Sequence, residues 1–143
     1  MASIWKHQVT IEDINALGKD CMVGHLDIVI EELGEDFIRA SMPVDQRTKQ
    51  PMGILHGGAS VVLAETLGSI AAYLSLDGGR YSVGLEIKAN HIKSTRSGRV
   101  EGIVRPVHLG KTTQVWEIKI RNKEGQLTCV SSITMMILDP AKS

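Results

Sequence analysis

The stretch GILHGGASVVLAETLGSIAAYLSL, residues 53–76, holds one formal charge, Glu65, in a run of Val, Leu, Ala, Ile and Gly. A carboxylate is seldom buried without a partner, so its place there asks for a use. Ser69 lies four positions on, which on a helix puts both side chains on one face. His56, Gly57 and Gly58 precede the apolar run, where a helix start leaves backbone N–H groups unpartnered and the dipole favours negative charge. Gln50 lies a few residues earlier. A carboxylate, a nearby hydroxyl and a set of oxyanion-type donors are the parts that acyl transfer to water requires. One group attacks a carbonyl or makes water attack it, and preorganised N–H groups hold the negative oxygen that develops. Desolvation by Val61, Val62, Leu63 and Leu67 is expected to raise the Glu65 carboxyl pKa and make it a better base or nucleophile. A structural role stays open at this point: Glu65 tied to an arginine, a backbone group or a subunit neighbour.

The elements that must position these residues are legible in outline. TIEDINALG, residues 10–18, predicts a short helix capped by Thr10, with Asp13 at the box position and Gly18 at its end. A strand carrying Leu26, Ile28 and Ile30 follows, with a turn near Gly34, and then a half-buried strand over 37–44. Residues 45–58 read as a loop that leads into a helix. From Ala59 to Leu76 the chain is apolar nearly all round and free of proline, which predicts a helix wrapped by the rest of the protein. Four strands follow over 81–92, 98–109, 112–123 and 126–138, with a hairpin signal at NKEGQ. Their short links predict antiparallel neighbours in a four-stranded meander. The fold class expected is α+β: one antiparallel sheet curled around one long central helix, in a single domain over residues 1–143.

Bulk composition narrows the function classes. Sixteen basic and sixteen acidic residues cancel, so nothing points to nucleic acid or an anionic membrane. The mid-span Glu65 and the strand-like sequence after it argue against a membrane span. Cys21 and Cys129 form no CxxC or Cys/His cluster and read as two reduced core thiols of a cytoplasmic protein. MASIWKHQVTIED lacks the pattern of a secretory signal. The five histidines, at positions 7, 25, 56, 91 and 108, show no ligand spacing, so no metal is expected.

The stretch QPMGILHGGASVVLAETLGS resembles the signature of the hotdog-fold thioesterases, in the branch whose catalytic carboxylate lies on the central helix. The resemblance extends through MPVDQRTKQP, GLEIKANHIKS, PVHLG and QVWEIKI. It implies hydrolysis of an acyl-CoA thioester, with an aromatic acyl group favoured, 1,4-dihydroxy-2-naphthoyl-CoA of menaquinone synthesis above all. Proofreading of aryl-carrier-protein thioesters, or broad-range acyl-CoA hydrolysis, is the alternative, and an acyl-CoA-binding regulator is the non-enzyme reading. By position, the resemblance makes Glu65 the nucleophile or general base. The Gly57 N–H polarises the carbonyl with support from His56 and Gln50, and Ser69 helps to place water. Gly84, then His91, Ile92, Lys93 and Ser94, and the loop of His108, Leu109, Gly110, Lys111, Thr112 and Thr113 match the CoA-contacting segments. Lys93, Arg96 and Lys111 are cations suited to the CoA phosphates. Lys93 stands where close relatives often carry Arg, and it cannot form a bidentate fork. The resemblance further implies no cofactor, since CoA belongs to the substrate, and a homo-oligomer, a dimer of dimers with active sites at the dimer interface. An acyl carrier protein is a further partner. A dehydratase of the same fold would carry a different loop, of the HFPxxPxxPG kind.

Overall fold

The computed structural model describes residues 2–141. Its elements are α1 (Ile11–Leu17), α2 (Met22–His25), β1 (Val29–Leu33), β2 (Ile38–Pro43), α3 (Gly57–Leu74), β3 (Tyr81–His91), β4 (Arg99–Leu109), β5 (Thr113–Arg121) and β6 (Leu127–Leu138). The α1 start is the capping box expected: Thr10 Oγ1 accepts the Asp13 N–H at 3.1 Å and the Asp13 carboxylate accepts the Thr10 N–H at 3.0 Å. Those hydrogen bonds hold the Asp13 carboxyl below the usual range. The short helix α2 carries no periodic signal, and the expected first strand is corrected at its start: Leu26 is the C-cap of α2, Ile28 precedes the strand, and β1 begins at Val29.

The six strands form one antiparallel sheet in the order β1-β2-β4-β5-β6-β3. β4, β5 and β6 are joined as successive hairpins, as the turn signals require. The four-stranded meander is corrected at its first member. β3 pairs with β6, while β4 pairs with β2. The reason is reach: β3 and β4 stand three strand spacings apart, about 14 Å. The seven residues of 92–98 can extend to about 23 Å. A short link therefore permits a neighbour without requiring one.

α3 packs across one face of the sheet, against β2 to β6. Leu63, Ala64, Leu67, Ala71 and Ala72 are buried in a core shared with Ile38, Met42, Val104, Trp116 and Ile133. The helix approaches closely at Gly68, where an added Cβ would lie 2.5 Å from Ile133 Cγ2. Gln114 fastens its C-terminal end by accepting from Trp116 Nε1 at 2.9 Å and donating to Ser75 Oγ at 2.9 Å. The expectation of a helix wrapped all round is overturned. The sheet covers one face, and Glu65, Ser69 and Tyr73 stand on the open one. α3 is long and apolar enough to cross a membrane by length and composition, yet half of it is buried against the sheet, which accounts for that composition.

Candidate active site

The loop before α3 is built to be rigid. The Thr48 hydroxyl donates to the Pro43 carbonyl at 2.7 Å, and the Thr48 carbonyl accepts from His56 N–H at 2.8 Å. Leu55 N–H donates to the Thr95 carbonyl at 2.8 Å, tying this loop to the one after β3. Gln50 sits between them. Its side-chain oxygen accepts the Met52 N–H, so its amide N–H groups remain as donors.

His56 is the N-cap of α3, and its Nδ1 accepts the Gly58 N–H at 2.8 Å. A neutral imidazole that accepts at Nδ1 carries its proton on Nε2 and offers it as a donor. Gly57 N–H has no hydrogen-bond partner among the described residues. The His91 ring lies over Gly57, so close that an added Cβ would stand 2.9 Å from His91 Nε2. Gln50, Gly57, His91, Lys93 and Ser94 share a hollow of about 310 Å³. Ile92 and the buried Thr95, whose hydroxyl is unpartnered, line it as well. This is the donor end of the site.

Glu65 and Ser69 share a face, as their spacing predicts, in a second hollow of about 490 Å³ between α3 and the α1–α2 segment. The expected desolvation of Glu65 is corrected. Of the flanking residues, Leu63 and Leu67 point into the core, and the carboxylate is exposed in the single chain. β3 passes beside it, and a Cβ on Gly84 would lie 3.7 Å from Glu65 Oε2. Gly84 is thereby brought to the carboxylate.

The third segment stands apart. His108 to Thr113 form the β4–β5 turn, closed by Gly110 N–H donating to Thr113 O at 2.9 Å. Arg80 fastens the turn by donating to the Lys111 carbonyl, with Asp139 3.2 Å from its Nε. Thr113 pairs with Met136, which also pairs with Val83. His91 is eight residues further along β3, about 26 Å. Lys111 and Lys93 thus lie at opposite ends of one subunit, whereas Arg96 stays beside the donor end, its guanidinium 4.0 Å from where a Gly53 Cβ would be. No cluster of three His, Cys, Asp or Glu side chains fit to hold a metal occurs among the described residues. Cys129 is buried, which pushes its thiol pKa up, but Cys21 is exposed, a correction to the reading of two core thiols. Thr95 escapes sequence reasoning because no charge or spacing marks it, and α1, though legible as a helix, gives no local sign that it walls the hollow beside Glu65.

A six-stranded sheet with one long helix across it, bearing an exposed carboxylate at mid-helix and an unpartnered N–H at its start, is the architecture shared with solved thioesterases. The chain belongs to the thioesterase superfamily, whose profile matches residues 52–129. It is 56% identical to the 1,4-dihydroxy-2-naphthoyl-CoA hydrolase of Escherichia coli (strain K12) over 94% of this chain and 99% of that one. It is 49% identical to the proofreading thioesterase EntH of Cronobacter sakazakii, over 94% and 98% of the two chains. A thioesterase crystal structure from Haemophilus influenzae superposes with a TM-score of 0.95 at 48% identity, covering 97% of each chain. The hotdog fold and thioester hydrolysis expected from the sequence both stand on these likenesses.

Proposed function

We propose that this chain is a cytoplasmic acyl-CoA thioesterase acting on an aromatic acyl group, 1,4-dihydroxy-2-naphthoyl-CoA foremost, through sites assembled between copies in a homo-oligomer. Glu65 attacks the thioester carbonyl or takes a proton from the water that does. The carbonyl oxygen becomes an oxyanion against the Gly57 N–H, flanked by His56 Nε2–H and the Gln50 amide. Where water attacks, collapse of the tetrahedral species expels the CoA thiolate, which takes the proton from Glu65, and leaves the acid. Where Glu65 attacks, collapse leaves a mixed anhydride on Glu65, which water held by Ser69 hydrolyses to the acid and the free carboxylate. No cofactor enters this scheme.

One observation carries the assembly. Glu65 and Gly57 are eight residues apart on one helix, about 12 Å. Reacting atoms must approach to about 3–3.5 Å, so one chain's carboxylate cannot serve a carbonyl held on its own Gly57. β3 is an edge strand whose outer side is unpaired, with Val83 and Leu85 exposed. An open apolar edge of that kind calls for a partner strand, and a second copy there supports joining a carboxylate end to a donor end. Bridging of Lys93 and Lys111 by one CoA needs the same arrangement, and two such dimers make the tetramer.

Release of free CoA thiol from 1,4-dihydroxy-2-naphthoyl-CoA, benzoyl-CoA and palmitoyl-CoA tests the reading. The expected result is strong preference for the naphthoyl substrate and a loss of about 10²–10⁴-fold in Glu65→Gln. Wild-type turnover in that variant would overturn the role given to Glu65. Higher kcat/KM on an aryl-carrier-protein thioester would replace the menaquinone substrate with the proofreading one.

A further inference from the structure

The groove beside Glu65 has a direction. Its α3 wall is one helical stripe from Val62 through Glu65, Ser69 and Ile70 to Tyr73. Glu65 stands near the N-terminal end of that stripe. An acyl group with its carbonyl carbon at Glu65 therefore has about 12 Å of wall ahead of it, as far as Tyr73. There the groove meets the N-terminal segment, and the His7 ring stacks on Tyr73 with centroids 4.5 Å apart and planes 17° from parallel.

That segment is fastened next to His7. Lys6 N–H donates to the Leu74 carbonyl at 2.6 Å. Trp5 Nε1 donates to the Gly34 carbonyl at 2.6 Å, and its ring stacks 6.1 Å from the buried Trp116. His7 is thus a wedge backed by the core rather than a loose end. Opposite α3, the wall is Ile14, Leu17 and Met22. The charged side chains lining the groove are Asp13 and Glu65, two carboxylates with no cation among them.

We propose that the Tyr73–His7 stack is the end stop of an acyl groove that begins at Glu65, so that the enzyme selects compact, uncharged acyl groups. The inference rests on Glu65 being the reacting carboxylate. A long chain must displace the stack or leave its tail in water, where its methylenes lose their transfer free energy. An acyl group with a second carboxylate would be desolvated beside like charges, with no Lys or Arg lining the groove to meet it. A flat aromatic acyl group fits between the apolar walls and ends on an aromatic face.

Cys21 supplies an independent readout. Its exposed thiol lines the same groove, while Cys129 is buried, so alkylation reports on Cys21. Iodoacetamide labelling of the intact enzyme is measured alone, with CoA, and with a non-hydrolysable aryl-CoA thioether. The thioether is expected to slow labelling about tenfold and CoA to leave it unchanged, as occupancy of the groove by the aryl group requires. The kcat/KM ratio of palmitoyl-CoA to benzoyl-CoA is then compared among variants. Tyr73→Ala is expected to raise it about tenfold or more and His7→Ala by less, whereas Tyr73→Phe, which keeps the ring, keeps the ratio. Glutaryl-CoA is expected to remain poor in all of them.

An unchanged ratio in Tyr73→Ala, with Cys21 protected by the thioether, overturns the end stop. Unprotected Cys21 combined with loss of turnover in Glu65→Gln overturns the path of the acyl group and leaves the thioesterase reading standing. Full turnover in Glu65→Gln overturns the role of Glu65 on which the inference rests.

Discussion

Single atoms decide what the site can hold. At Gly57 the His91 imidazole closes the space over the backbone, since an added Cβ would lie 2.9 Å from its Nε2 and the ring would have to move. Gly57→Ala is expected to fold, since the ring can swing on its side chain, and to lower kcat by roughly tenfold or more as the donor geometry shifts. Steady-state rates beside an unchanged circular dichroism spectrum check this; an unchanged kcat would remove Gly57 from the oxyanion site. A second residue-scale effect lies in the loop that carries Gln50. Arg47 donates to Asp45 from Nη2 at 2.6 Å and from its backbone N–H at 2.9 Å, and holds the carboxyl down from 3.8 to about 2. The folded value lies below the unfolded one, so this stabilisation is fully present above about pH 3.8. It fades as pH falls through about 2. Carboxyl NMR titration is expected to place Asp45 near 2 in the wild type and closer to 3.8 in Arg47→Ala.

Elements show where sequence reasoning succeeds and where it stops. The α1 box, the turn at NKEGQ and the β5 alternation are local, so periodicity and capping chemistry sufficed to find them. Glu65 and Ser69 were legible as a pair for the same reason. The neighbour of β3 was not, because strand order depends on pairing between distant segments, and the 92–98 link suits several neighbours. Nor could composition separate a helix wrapped by its own chain from one covered on a single face, as α3 is. His91 at Gly57 and Gly84 at Glu65 are likewise products of the sheet's register rather than of spacing. The helix–sheet contact carries its own prediction. Gly68→Ala gains up to about 1 kcal/mol of helix propensity. Its Cβ would stand 2.5 Å from Ile133 Cγ2 in a residue 1% exposed, and overpacking of that kind costs about 1–3 kcal/mol. The clash wins, and thermal unfolding is expected at a lower temperature than in the wild type; a higher melting temperature would show that the sheet yields there.

At the scale of the whole molecule, three features of the single chain bear on one proposed arrangement. The exposed Glu65 carboxylate, the unpaired β3 edge and the 12 Å between Glu65 and Gly57 all resolve if each site takes Glu65 from one copy and its donors from another. That arrangement can be read without a structure of the assembly. Glu65→Gln lacks the carboxylate end, and the double variant Gln50→Ala with His56→Ala lacks most of the donor end. Each alone is expected to be nearly inactive. When the two are unfolded together, refolded and mixed in equal amounts, half of the dimers pair one chain of each kind. In such a pair one site carries both defects, while the other receives an intact carboxylate from one chain and intact donors from its partner. Activity is expected to return to roughly a quarter of the wild-type level. If each chain holds its own complete site, no combination of the two defective chains can build one, and the mixture stays as inactive as its components.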